Sequence, residues 1–177
     1  MLDRLRGLFN RERRTQNNYL AEILYSQKFS IFLSNSEWIH NKNICFGSWS
    51  AGSPFFYILV RILEKGNFNS ILELGMGESS KLITQIVRHR ELEKIIIVEN
   101  DLQWYNFFKE DLLMVKTEIL LLERIKKSVF GHEVSYYDNL SVHLSGKKFG
   151  LVVVDGPQGS ERFSRYQIVE LIKNDLK

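Results

Sequence analysis

Apolar positions change their period along this chain. Over residues 1 to about 40 they recur at helical spacing, first as Leu2, Leu5, Leu8 and Phe9, then through YLAEILYSQKFSIFL. A loop of small residues follows, CFGSWSAGSP. Pro54 stands where it opens a helix, FFYILVRILEKG, and Gly66 stands where it closes one. From residue 70 short apolar runs alternate with helical segments. SILEL (70–74), KIIIVE (94–99), TEILLL (117–122) and FGLVVVD (149–155) predict strands. SSKLITQIVRH and DLQWYNFFKEDLL predict helices, the second capped by Asp101, and a last helix is predicted over about 161–176. A long mixed stretch containing Tyr136 and Tyr137 separates the third and fourth strands.

Strands alternating with helices predict an α/β fold, a Rossmann-like, doubly wound and mostly parallel sheet of about four strands. IIIV and LVVV are apolar at every position, as strands covered on both faces are. Two regions are expected: an N-terminal helical extension over 1–40 and the α/β domain over 41–177. Ligands in such sheets bind beyond the carboxyl ends of the strands, where strand order reverses.

The composition narrows the partners. Of 177 residues 44% are apolar, enough for a substantial core, and the net charge of +3 comes from scattered basic residues. Nucleic acid is therefore not an expected partner. One cysteine, Cys45, excludes an internal disulfide framework; it is expected to be buried, in a protein of a reducing, cytoplasmic compartment. No apolar run reaches the roughly 20 residues that span a bilayer. The arginines around the first apolar stripe fit either an interfacial membrane helix or a surface helix docked on protein, and the second is the reading taken.

At residues 71–80, ILELGMGESS, an apolar run gives way to Gly75 and Gly77, then to Ser79 and Ser80. Glycines so spaced let backbone amides approach a ligand, and the helix that follows adds a partial positive charge. Glu99 ends the next strand, 24 residues after Gly75, where a carboxylate accepts from both hydroxyls of a ribose. A dinucleotide, a nucleoside-bearing methyl donor and a plain tight turn all fit this much. The dinucleotide fingerprint wants a third glycine where Ser80 stands, and a pyrophosphate is repelled by Glu73. A sulfonium donor with a cationic amino-acid end is attracted by it. The chemistry favours S-adenosylmethionine over NAD.

These residues resemble a family. ILELGMGESS is similar to the first motif of the class I S-adenosylmethionine-dependent methyltransferases, IIIVEND to their second, and LVVVDGPQG to the strand motif that faces the reacting methyl group. WSAGSP and VVVDGPQGSERFSR resemble a branch with O-methyltransferases of sugars and other small hydroxylated acceptors. The likeness covers about residues 47 to 176. It implies that Gly75 and Gly77 line the donor's amino-acid and ribose portion, that Glu73 and Ser79 belong to that pocket with Glu73 near the ammonium, and that Glu99 holds the ribose. Asn100 and Trp104 would border the adenine, although helix spacing also places Trp104 in the core. Ser48 and Trp49 would close over the donor, or simply pack.

Asp155 ends the fourth strand, before the Gly156–Pro157 turn. It is the candidate catalytic residue, orienting the acceptor hydroxyl or taking its proton. Arg162 and Arg165 are expected either to hold an anionic acceptor or to face solvent. No metal is expected: Asp155 has no adjoining Asp or Asn, and the four histidines lack paired ligand spacing. GSWSAG lacks the spacing and preceding strand of a nucleophile elbow.

The family fold has seven strands, so the chain is expected to lack the last three. The fourth strand would then be an edge, covered by a second copy, a partner chain or the N-terminal region. The function expected is methyl transfer to a hydroxyl of a small or sugar-like acceptor. The alternatives are an inactive binding or interaction module and, less favoured, an NAD-binding oxidoreductase.

Overall fold

The computed structural model describes residues 2–47, 50–112, 116–157 and 162–174. They fall into two compact units, Met1–Lys65 and Gly66–Lys177. Ser48 and Trp49 lie outside the described residues, as do the side chains of the Leu2, Leu5, Leu8 and Phe9 stripe.

The first unit is a helix pair, α1 (Leu2–Asn35) and α2 (Ser53–Lys65). Phe29 of α1 and Phe56, Leu59, Val60 and Leu63 of α2 are buried. The rings of Phe29, Phe46 and Phe56 form a cluster with centroids 5.4–6.0 Å apart. Pro54 lies in the first turn of α2, as expected. Glu22 of α1 caps that turn: its Oε2 accepts from the Ser53 amide at 2.9 Å and the Ser53 hydroxyl at 2.8 Å. An acid at a helix N-terminus satisfies amides that have no intrahelical partner. Cys45 is exposed, against the expectation of burial. Its neighbour Phe46 is 40% exposed and lays its ring against Phe29 and Phe56.

The second unit holds β1 (Ser70–Leu74), α3 (Glu78–Gln85), β2 (Lys94–Glu99), α4 (Leu102–Leu112), β3 (Thr117–Leu121), β4 (Arg124–Val129), β5 (His132–Tyr137), α5 (Leu140–Leu144), β6 (Leu151–Val154) and α6 (Tyr166–Asn174). Four strands make a parallel sheet in the order β3-β2-β1-β6, the Rossmann-like arrangement expected. Leu72 pairs with Ile96 on one side and Val152 on the other. β1 is buried along its whole length and β2 from Ile95 on, which is why their sequences are apolar without alternation. One face packs Leu72, Leu74, Ile96 and Val98 against Tyr137, Leu140, Leu144 and Leu171. The period of two turns Ile71, Glu73, Ile95 and Ile97 to the other face.

Two elements depart from the sequence reading. β6 is shorter than 149–155, and only Val153 in it is buried. It lies at the sheet edge, so it lacks the cover that β2 has. The mixed stretch is an antiparallel hairpin, β4 with β5. Phe130 (φ 51°) and Gly131 (φ 79°) form its two-residue turn, with the paired positive φ values of a type I′ turn. Ile125, Val129, Val134 and Tyr136 share one face with Tyr166. Lys127 lies on that face with its ammonium 4.8 Å from the Tyr136 ring centroid.

The carboxyl ends of β1 and β6 meet at two glycines. The amides of Asp155 and Gly156 both donate to the Leu74 carbonyl, at 2.8 and 2.6 Å. Gly75 has φ 97°, and a Cβ on it would stand 2.5 Å from the Gly156 nitrogen. A Cβ on Gly156 would stand 2.1 Å from the Tyr137 hydroxyl and 2.7 Å from the Gly75 Cα. Gly75→Ala combines positive-φ strain with a backbone clash and is expected to cost more than about 2 kcal/mol. Gly156→Ala is expected to cost about 1–3 kcal/mol by overpacking. Urea unfolding of the two variants checks both values.

Candidate functional site

The loop after β1 is built from intramolecular hydrogen bonds. The Gly75 amide continues the ladder to the Val98 carbonyl at 2.9 Å. The Met76 amide donates to Glu99 Oε2 at 2.9 Å. The Gly77 amide donates to the Ser80 hydroxyl at 3.0 Å. All three turn amides are therefore engaged within the protein, where the sequence reading had them facing a ligand. Trp104 of α4 reaches across and donates from Nε1 to the Met76 carbonyl at 2.5 Å. It is 37% exposed, so it belongs to the loop and not to the core. Asp101 caps α4 as expected, accepting from the amides of Gln103 and Trp104.

Gly77 differs from Gly75. Its backbone is extended, with φ 180°. Among the described residues nothing stands within 4 Å of where its Cβ would be. No steric demand inside the protein calls for glycine at this position, and the space beside it is open.

Glu99 is buried and holds three amides. Oε1 accepts from Asn100 at 2.6 Å and Asp101 at 2.8 Å, and Oε2 from Met76. A carboxylate offers about four acceptor positions. Three of them are taken here, which leaves one, on Oε2. Asn100 is half-buried beside it.

Glu73 sits behind the turn and is fully buried. The Ser79 and Ser80 hydroxyls donate to its two oxygens at 2.5 and 2.6 Å. Ser80 thus links the Gly77 amide to Glu73. Burial pushes the Glu73 pKa from 4.5 up to about 8; the two serine bonds oppose the shift, and Asp155 and Glu99 add to it. Ser79 serves this buried carboxyl, an interaction the sequence reading did not include.

Asp155 is half-exposed, and the Arg165 guanidinium lies 3.8 Å from its carboxylate. Arg165 also donates to the Asp155 carbonyl and, at 3.0 Å, to the Pro157 carbonyl. It braces the turn, where the expectation was acceptor binding or solvent; Arg162 is exposed. The sequence reading missed Tyr137, which β5 brings under Gly156. A hairpin pattern read at 124–137 would have found it. Among the described residues no group of three or more His, Cys, Asp or Glu is arranged to hold a metal ion, and no helix is long and apolar enough to cross a membrane.

Two predictions follow from the buried acids. A carboxyl whose pKa rises on folding contributes no penalty below about pH 4.5, where both states are protonated; stability is then lost as pH rises through about 8. Unfolding midpoints measured from pH 5 to pH 9 should fall in the native protein, and Glu73→Gln should flatten that slope. Glu99→Ala leaves buried amides unpaired and is expected to cost about 2–4 kcal/mol, read from denaturant unfolding at pH 7.

No family model matches the chain and no curated protein matches it, so the site is read from its own geometry.

Proposed function

We propose that the second unit binds S-adenosylmethionine at the glycine turn and transfers its methyl group to a hydroxyl of a small or sugar-like acceptor. One observation carries this reading: the turn is rich in acids and its amides are engaged. A pyrophosphate needs free amides and little negative charge. Here Gly75, Met76 and Gly77 have their amides bonded, and Glu73, Glu99 and Asp155 surround the turn. A cationic sulfonium donor suits the carboxylates of Glu99 and Asp155, while Glu73, its pKa raised to about 8, is mostly protonated at neutral pH. The open space at Gly77 and the free position on Glu99 Oε2 are where its ribose and amino-acid portion fit. These features disfavour NAD.

The donor supplies an activated methyl group on a positive sulfur. The chain's part is to bind and align. Glu99 holds the ribose side, Trp104 and Asn100 border it, and Asp155 faces the acceptor. A half-exposed carboxylate beside an arginine is suited to orienting a hydroxyl for in-line attack. The acceptor oxygen forms the new bond to carbon, the carbon–sulfur pair stays with sulfur, and the acceptor proton passes to Asp155 or to water. Phe130, Phe163 and Tyr166 form an aromatic surface with centroids 5.5–6.2 Å apart, and Arg165, between Phe163 and Tyr166, is bonded to the Asp155 turn. Such a surface suits a flat acceptor with an apolar face.

A second reading, donor binding without transfer, has one observation in its favour. Arg165 lies on the Asp155–Pro157 turn and engages two of its carbonyls.

Calorimetry with S-adenosylmethionine, S-adenosylhomocysteine and NAD tests the reading: the first two should bind and NAD should not. Gly77→Val should fill the open space, weakening S-adenosylmethionine at least about tenfold while changing stability by only about 0.5 kcal/mol, as open positions do. Asp155→Asn should keep donor affinity and lower methyl transfer measured with a labelled donor. Loss of donor affinity in a folded Asp155→Asn protein would sink the acceptor-side role.

A further inference from the structure

The hydroxyl of Tyr137 is the unexplained group at this site. Tyr137 is 1% exposed, and its hydroxyl has no hydrogen-bond partner among the described residues. A buried phenol normally finds one, and leaving it unpaired costs about 1–3 kcal/mol. A phenylalanine would fill the same core position in the cluster of Leu72, Leu74 and Val98 without that cost. The hydroxyl therefore answers to something other than packing.

Its position is fixed from two sides. Gln167 of α6 clamps the Tyr137 backbone, accepting from its amide and donating to its carbonyl, each at 2.8 Å. The hydroxyl itself occupies the space that a side chain on Gly156 would fill, against the contact of Gly156 with Gly75. No side chain at 75 or 156 separates it from the junction of the two turns. Glu99, Glu73 and Asp155 lie close enough to join burial in raising its pKa, so the phenol keeps its proton and acts as a donor.

Resting on the S-adenosylmethionine reading, we propose that the Tyr137 hydroxyl donates a hydrogen bond to the carboxylate at the amino-acid end of the bound donor, reached when the ligand parts the Gly75 and Gly156 turns. That carboxylate only accepts. It enters a site bordered by Glu99 and Asp155, and the amides of Gly75, Met76 and Gly77 are already bonded. Tyr137 is the donor at this junction with its hydrogen bond still to make. A ribose hydroxyl, which can donate, is served by the free position on Glu99 Oε2.

Tyr137→Phe removes the hydroxyl and keeps the ring. Binding of S-adenosylmethionine and of its decarboxylated form is measured by calorimetry for both proteins, with urea unfolding alongside. The expected result is that Tyr137→Phe is at least as stable as the native protein, binds S-adenosylmethionine about tenfold or more weakly, and binds the decarboxylated form within twofold of native. Equal loss for both ligands, or no loss for either, overturns the assignment. Unchanged donor affinity with slower methyl transfer also overturns it and moves the hydroxyl to the acceptor. If the native protein binds neither ligand, the donor reading itself falls, an outcome distinct from the others.

Discussion

The contact of Gly75 with Gly156 is the constraint on which the second unit depends. β1 and β6 are neighbours and parallel, so their chains leave the sheet at the same edge and side by side. Both leave through the Leu74 carbonyl region, where the amides of Asp155 and Gly156 converge. Backbone then meets backbone with no room for a Cβ on either strand. This close approach brings Asp155 beside the first loop, and it gives the Tyr137 hydroxyl its place. A Cβ at either glycine would meet the other turn's backbone at 2.5 to 2.7 Å, so a larger residue cannot be added without shifting both.

Acids then organise what the glycines bring together. Glu99 gathers three amides from two loops, and Glu73 gathers two serines from the first turn of α3. Neither has a cation as its partner. The hydrogen bonds offset part of the desolvation of each carboxyl, and for Glu73 they do not offset it all, as its raised pKa records. The result is a loop whose own donors are turned inward, onto Glu99, Ser80 and the β2 backbone.

Much of the scaffold was legible in the sequence. SILEL and KIIIVE coincide with β1 and β2, because burial on both faces leaves no polar position to blur the limits. Asp101 was legible as a cap because its acceptor role is local. The hairpin was not legible. Lys127 and His132 interrupt its apolar face, and Phe-Gly is not the Asn-Gly that marks a type I′ turn. Trp104 was read toward the core from its helix spacing and the usual burial of helix aromatics, yet it is 37% exposed and Phe107 on the same helix 71%. Glu73 was visible as an acid in the right loop. That it serves Ser79 and Ser80 depends on the turn of α3, which spacing does not reveal.

The hairpin tip has a consequence for how this sequence can change. Phe130 and Phe163 both hold positive φ values, of 51° and 55°, which bulky residues rarely adopt. Their rings touch at 5.5 Å, and Phe130 also meets Tyr166 at 5.6 Å. Replacing Phe130 alone by asparagine would relax one backbone and leave the Phe163 ring against His132 and Tyr166. The aromatic surface therefore does not hang on the strained turn: position 130 can drift to the ordinary Asn-Gly while Phe163 and Tyr166 stay in contact.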